Sequence, residues 1–273
     1  MSGNNTGTRA AIAVFFLPLL VLITYYGKIP FLLLGLIIGL VSFYEFNILA
    51  QNKKSYPNLI LGLLSVLAII LNAYFQFIGF FHLFIMIAVV ISIVEMFRNY
   101  HSAILNIGST FLGIFYIGLM SASIVSLREF YSGSELMYSQ GANIILSVLA
   151  SIWICDTAAF FIGIAFGKHK IFPRVSPKKS WEGSIAGFVF AIITMVAAKY
   201  IWLDFFTMKD SIILGVLIGI FGQAGDFVES LIKRDAGVKD SSNLIPGHGG
   251  MFDRFDSLLL TAPVVYLYLL LFL

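Results

Sequence analysis

Charge is scarce in this chain. Only 11% of its 273 residues are Asp, Glu, Lys or Arg, against 59% hydrophobic, whereas an ordinary soluble domain is about 25% charged. That deficit argues against a body surrounded by water and for one that sits in lipid. Cysteine is almost lacking: Cys155 stands alone inside an apolar run, so an intramolecular disulfide is excluded. No zinc spacing with His169 or His248 can be drawn around it, and it reads as a small buried hydrophobe. The formal charge of +3 is too small for a nucleic-acid partner, and the basic residues fall between apolar runs rather than along one face. Heptads, low-complexity tracts and internal repeats are also missing.

Long apolar runs are what the chain has instead. A helix needs about 20 mostly apolar residues to cross a bilayer core, because each backbone polar group must be satisfied within its own segment. Nine runs meet that description, at about 10–26, 29–50, 58–75, 77–94, 102–127, 141–167, 183–203, 211–232 and 257–273. The expected fold is all-α, a polytopic membrane protein of about nine transmembrane helices. Residues 1–9 are polar and small and read as a leader or tail outside the fold. The run from Ala10 shows no small-x-small cleavage site and reads as a retained helix. Gly27 and Lys28 alone separate the first two spans, which predicts a tight turn.

With the N-terminus inside, nine spans put 13 Lys and Arg on one side of the membrane and 4 on the other (Lys28, Arg128, Lys199 and Lys209). The richer side is expected to be cytoplasmic. Charge is also uneven along the chain, with 10 charged residues in 1–150 and 21 in 151–273. This predicts an N-terminal packing region over 10–140 and a catalytic region over 141–273.

Two acids lie deep within apolar runs, Asp156 in SIWICDTAAFFIG and Asp226 in LGVLIGIFGQAGDFVESLIKR. A carboxylate at that depth costs roughly 2.5–3.5 kcal/mol on insertion scales, so each is expected to face a cavity, a cation or a partner. Asp226, Glu229 and Lys233 lie at i, i+3 and i+7 and share one helix face. Asp253 and Asp256 repeat the i, i+3 spacing at the start of the last span. Carboxylates brought together from two helices suit a hard divalent cation such as magnesium, which takes oxygen ligands and leaves positions for water and phosphate. Glu45 is a third buried acid; with no motif around it, it reads as a helix–helix hydrogen bond or a snorkelling side chain.

Two loops hold most of the positive charge. KRDAGVKDSSNLIPGHGGMFDR carries Lys233, Arg234, Lys239 and Arg254 beside Pro246, Gly247, Gly249 and Gly250, a turn whose backbone N–H groups can cradle an anion. GKHKIFPRVSPKKSWEG carries five basic residues against one acid. Its two prolines, with Ser180 and Trp181, predict a fixed shape. His169 and His248 read as hydrogen-bonding loop residues.

The run from Ser230, Leu231, Ile232, Lys233 and Arg234 through Lys239 and Asp240 to His248, Gly249, Gly250, Met251, Phe252, Asp253, Arg254, Phe255 and Asp256 resembles the defining motif of the phosphatidate cytidylyltransferases, or CDP-diacylglycerol synthases. Asp156 with Ala159, Gly163, Gly167 and Lys168 is similar to a second segment of that family. Ser176, Pro177, Lys178, Lys179, Ser180, Trp181 and Gly183 are similar to a third. Phe160 stands where the family often has tyrosine, and Ser180 where it often has threonine; the firm resemblance runs over about 155–256. It implies transfer of the cytidylyl group of CTP to phosphatidic acid at the cytoplasmic face of the inner membrane, with Mg2+. It implies metal ligation by Asp226, Asp253 and Asp256 with Glu229 or Asp156, and catalytic roles for Lys233 and Arg234. Substrate contacts are expected from Lys168, Ser176, Lys178, Lys179, Ser180, Lys239, Asp240, His248, Gly249, Gly250 and Arg254. A homodimer is carried over from the same resemblance. The alternatives are a related cytidylyltransferase or kinase acting on a non-diacyl lipid, or a cation-coupled transporter with Asp156 and Asp226 as ion ligands.

Overall fold

A computed structural model describes residues 16–242, 244 and 249–273. The leader at 1–9, and Pro246, Gly247 and His248, lie outside the described residues. All of the regular structure described is helical: α1 (Phe16–Tyr26), α2 (Lys28–Gln51), α3 (Leu59–Phe75), α4 (Phe80–Arg98), α5 (Ala103–Gly113), a π-helical segment (Ile114–Leu119), α6 (Met120–Arg128), α7 (Tyr138–Phe166), α8 (Trp181–Ile201), α9 (Met208–Asp235) and α10 (Phe252–Phe272). Because α5, the π segment and α6 run on as one span, Ala103–Arg128, the helices correspond to the nine apolar runs.

This is an all-α membrane protein, but nine crossings are not established. Seven of the described helices are long and apolar enough to cross a bilayer, while Phe16–Tyr26 and Leu59–Phe75 are shorter. Several ends also differ from expectation. The last helix begins at Phe252 rather than near 257, and α9 extends to Asp235, so Asp253, Asp256 and Lys233 are all helical residues. Gly27 makes the expected turn with φ 64°, its N–H donating to the Ile23 carbonyl at 3.0 Å.

The chain forms two compact units. One comprises the described residues up to Ile23, Gly27–Ser126 and Ile232–Phe255; the other comprises Thr24–Tyr26, Leu127–Leu231 and Asp256–Leu273. In the first, α2, α3 and the π segment enclose a core of Phe43, Phe46, Val66, Ile69, Ile70, Ile114 and Ile117, all buried. A polar knot ties α4, α5 and the loop before α3 together. Asn106 accepts from the Tyr56 N–H at 2.9 Å and donates to Glu95 at 2.7 Å, while Arg98 donates to the Tyr56 carbonyl at 2.7 Å and to Glu95 at 3.2 Å. Buried polar groups matched in this way avoid the penalty of an unmet donor or acceptor.

Small residues govern the second unit. With little hydrophobic drive between helices in lipid, close backbone approach supplies the packing. A Cβ on Gly183 would come within 2.5 Å of the Ala159 carbonyl oxygen, and one on Gly187 within 3.0 Å of Cys155 Sγ, so α7 and α8 cross at bare backbone. Along α9, Gly215 and Gly219 do the same against α8, and Gly225 against α10. Ala159, Gly163 and Gly183, which stood out as motif residues, therefore serve packing, and Cys155 is buried as expected. Arg128 is fully buried. Its guanidinium donates to the carbonyls of Thr24 at 2.6 Å and Tyr25 at 3.0 Å and lies over the Tyr138 ring, satisfying the last carbonyls of α1. Counted from sequence as a loop charge, it is a structural one.

Candidate active site

In the second unit, the deep acids of the sequence come together. Gly225 is the hinge of this arrangement: a Cβ there would lie 2.5 Å from the Asp256 carbonyl oxygen and 3.0 Å from the Ser257 Cα. Its bare backbone lets α9 touch α10 beside Asp226, the next residue. The charges of Asp226, Asp156 and Lys179 all act on Asp256, and those of Asp226 and Lys179 act on Asp156. Lys179 donates to Asp226 Oδ2 and Ser230 to Asp226 Oδ1 at 3.2 Å. Asp226 on α9 thus bonds the lysine, and Asp156 on α7 and Asp256 on α10 lie within reach of its charge.

That lysine is delivered by the loop Gly167–Ser180, which has the fixed shape its prolines and tryptophan foretell. Ile171 N–H donates to the Lys179 carbonyl at 3.3 Å and Trp181 N–H to the His169 carbonyl at 2.9 Å. Phe172 packs edge-on to Phe227 of α9, and the Lys179 ammonium lies 4.4 Å from the same Phe227 ring. Ser180 is the N-cap of α8, accepting from the Gly183 N–H at 3.3 Å. Ser176 lies in the Phe172–Lys179 turn, accepting through its carbonyl from Lys179 N–H. Lys168 and Lys178 are exposed, as is Asp156 on α7, while Asp226 and Asp256 are half-buried. Glu229, one turn beyond Asp226, is buried.

Asp253 belongs to the first unit and has different company. Its Oδ1 accepts from the Lys233 ammonium at 2.6 Å; its Oδ2 accepts from the N–H of Gly250 at 2.7 Å, the N–H of Ser241 at 2.9 Å and the Ser241 hydroxyl at 2.8 Å. Gly249 holds φ 82° beside this carboxylate. Of the N–H groups that the sequence offered as an anion cradle, that of Gly250 points at the Asp253 carboxylate. A helix start leaves four N–H groups without intrahelical partners. Lys239, Asp240, Arg234 and Arg254 are exposed around this loop, with Arg234 donating to the Val238 carbonyl at 3.0 Å.

Sequence reasoning named Glu45 as a buried acid but gave it no part in the site. It accepts from Met251 N–H (3.0 Å), Phe252 N–H (2.8 Å), Ser241 hydroxyl (2.9 Å) and Ser242 hydroxyl (2.5 Å). It bonds the first residue of α10, as the helix–helix reading expects, and beyond that reading it also holds Ser241, Ser242 and Met251 ahead of that helix. The one signal available was the cost of an acid in the apolar run VSFYEFNILA.

The oxygen donors on α7, α9 and α10 have the chemistry of a site for a hard cation, and their charge exceeds that of one lysine. Among the described residues, no three His, Cys, Asp or Glu side chains are drawn together as a ligating set.

Comparison with known proteins adds the family. The model of the cytidylyltransferase family matches residues 7–272. The chain belongs to that family. It is 31% identical over 279 residues to the phosphatidate cytidylyltransferase of Bacillus subtilis (strain 168), covering 98% of this chain and 96% of the relative. It is 43% identical over 134 residues to that of Staphylococcus aureus (strain COL), and 38% over 146 residues to that of Staphylococcus saprophyticus. Against these two staphylococcal relatives the chain spans about half of their length, 51% and 56%.

Proposed function

We propose that the chain transfers the cytidylyl group of CTP to phosphatidic acid, forming CDP-diacylglycerol and pyrophosphate. The observation that carries this reading is the gathering of Asp156, Asp226, Asp256 and Lys179 in one unit of a chain whose family is defined by cytidylyl transfer. The similarity to the Bacillus subtilis relative, nearly end to end, supports the same substrates.

In the reaction, an oxygen of the lipid phosphate forms a bond to the α-phosphorus of CTP, and the bond from that phosphorus to the pyrophosphate oxygen breaks. Both reactants are anions, so the site must offset their repulsion and the charge that gathers on the leaving group. A bound Mg2+ would polarise phosphate oxygens and neutralise part of that charge. Asp226, Asp256 and Asp156 are the residues we assign to hold it, with Glu229 close by on α9. Lys179, already beside these acids, is placed to exchange its carboxylate partner for a phosphate. Lys168 and Lys178 add positive charge from the same loop. A lipid phosphate is already ionised near neutral pH, so the step needs no strong general base.

Counted over the nine apolar runs, the distribution of 13 against 4 basic residues, which setting aside the buried Arg128 only sharpens, supports a cytoplasmic active site in the inner membrane with the N-terminus inside. A homodimer is the assembly that family resemblance supports. The test is pyrophosphate release by purified protein given CTP, Mg2+ and phosphatidic acid, with polyprenyl and archaeal-type lipid phosphates as parallel arms. Release with phosphatidic acid, abolished by Asp226→Ala, is the expected result. Release that persists in Asp226→Ala would remove the assigned site, and release with another lipid phosphate alone would redirect the substrate.

A further inference from the structure

We propose that Glu45 is a positioning residue for the reaction, holding Ser241, Ser242 and the start of α10 in place; the kinetic half of this inference rests on the function proposed above. Glu45 lies on α2, in the region that composition marks as packing structure, and it is 1% exposed. Its four donors are 196 to 207 residues away in sequence. A carboxylate has about four acceptor positions on its two oxygens, and here each oxygen takes one hydroxyl and one backbone N–H. Oε1 accepts from Ser242 and Met251, and Oε2 from Ser241 and Phe252. The negative group sits at the start of α10, where the aligned peptide dipoles favour it.

The glycine pair of the loop takes its meaning from this contact. A Cβ on Gly250 would lie 2.4 Å from Glu45 Oε1, 2.5 Å from Oε2 and 2.1 Å from the Ser241 hydroxyl. A Cβ on Gly249 would lie 2.6 Å from Asp253 Oδ2, at a φ that side chains rarely adopt. Two carboxylates thus occupy the space that side chains at 249 and 250 would fill. The Ser241 hydroxyl is within reach of both, 2.9 Å from Glu45 and 2.8 Å from Asp253, and its single proton serves one of them at a time. Glu45, Ser241 and Asp253 form a chain of contacts ending on Lys233. Changing Glu45 therefore acts on Asp253 and Lys233 through the loop, without Glu45 touching substrate.

Amide hydrogen exchange and turnover in Glu45→Gln, beside wild type, test this. The amide side chain loses the charge and can accept on one oxygen only. Exchange at Met251 and Phe252 is expected to quicken at least about ten-fold, while amides within α8 keep wild-type rates. Pyrophosphate release per folded enzyme should fall at least about ten-fold, through kcat more than KM. Glu45→Asp, which keeps the charge on a shorter stem, should fall between the two. Gly250→Ala should mimic Glu45→Gln, with the double variant no worse than either single one. Wild-type exchange at 251–252 in Glu45→Gln overturns the proposal, and so does faster exchange with unchanged turnover. If wild type releases no pyrophosphate with any lipid phosphate, the proposed function fails, and exchange alone still decides whether Glu45 holds the loop. Should Glu45→Gln not accumulate, Ser242→Ala removes one of the four bonds and leaves the charge. A lower turnover at an unchanged melting temperature then supports the proposal, and wild-type turnover overturns it.

Discussion

The acids of the two units are matched in opposite ways. In the first unit, every oxygen of Glu45 and Asp253 is met by protein donors: two backbone N–H groups and two hydroxyls for Glu45, and two backbone N–H groups, one hydroxyl and an ammonium for Asp253. In the second, Asp156, Asp226 and Asp256 lie within reach of one another's charge, with Lys179 as the cation acting on all three. Closed networks of the first kind fix a shape. Unbalanced clusters of the second kind hold charge in readiness for a cation or an ionic substrate, at a cost in stability. The sequence motif spans both and does not separate them: Asp253 and Asp256 are one turn apart on α10, yet one ends a closed network and the other joins the open cluster.

Removing a member of each group should break or sharpen that contrast. Asp256→Asn should have the largest effect, lowering pyrophosphate release at least about a hundred-fold, the scale at which groups facing transition-state charge act; turnover of the purified variant checks it. Asp253→Ala should act first on the fold, lowering stability by about 3 kcal/mol because it removes the acceptor of the Lys233 ammonium and of the Gly250 and Ser241 N–H groups, seen as a lower melting temperature in detergent. Gly225→Val drives a side chain into the Asp256 carbonyl and should cost about 2 kcal/mol from overpacking, while also parting Asp226 from Asp256. Turnover should then fall further than the melting temperature alone would account for. Gly108→Ala has open space within 4 Å in the interior of α5 and should raise stability by up to about 1 kcal/mol through helix propensity, with turnover unchanged.

Much of this was readable from residues alone. The apolar runs declare the helices because lipid leaves the backbone no other option, and Asp156 and Asp226 declare themselves by their cost. The helix ends were harder. At the start of α10 the Phe252 N–H is met by Glu45, 207 residues earlier, and no local pattern carries that. The pairing of Lys179 with Asp226 depends on how a stiff loop folds back over Phe227, so the sequence marked the lysine as basic without naming its partner. Gly249 and Gly250 were legible as a turn but not as the seat of two carboxylates.

On the function proposed above, Asp226 serves the chemistry, whereas Asp253 serves the architecture. Melting and turnover measured together on purified Asp226→Asn test it most directly. Taking one charge from a mutually repelling group should leave the melting temperature at or above that of wild type, while pyrophosphate release is lost. Wild-type turnover in that variant, or a melting temperature as depressed as that of Asp253→Ala, would contradict the account.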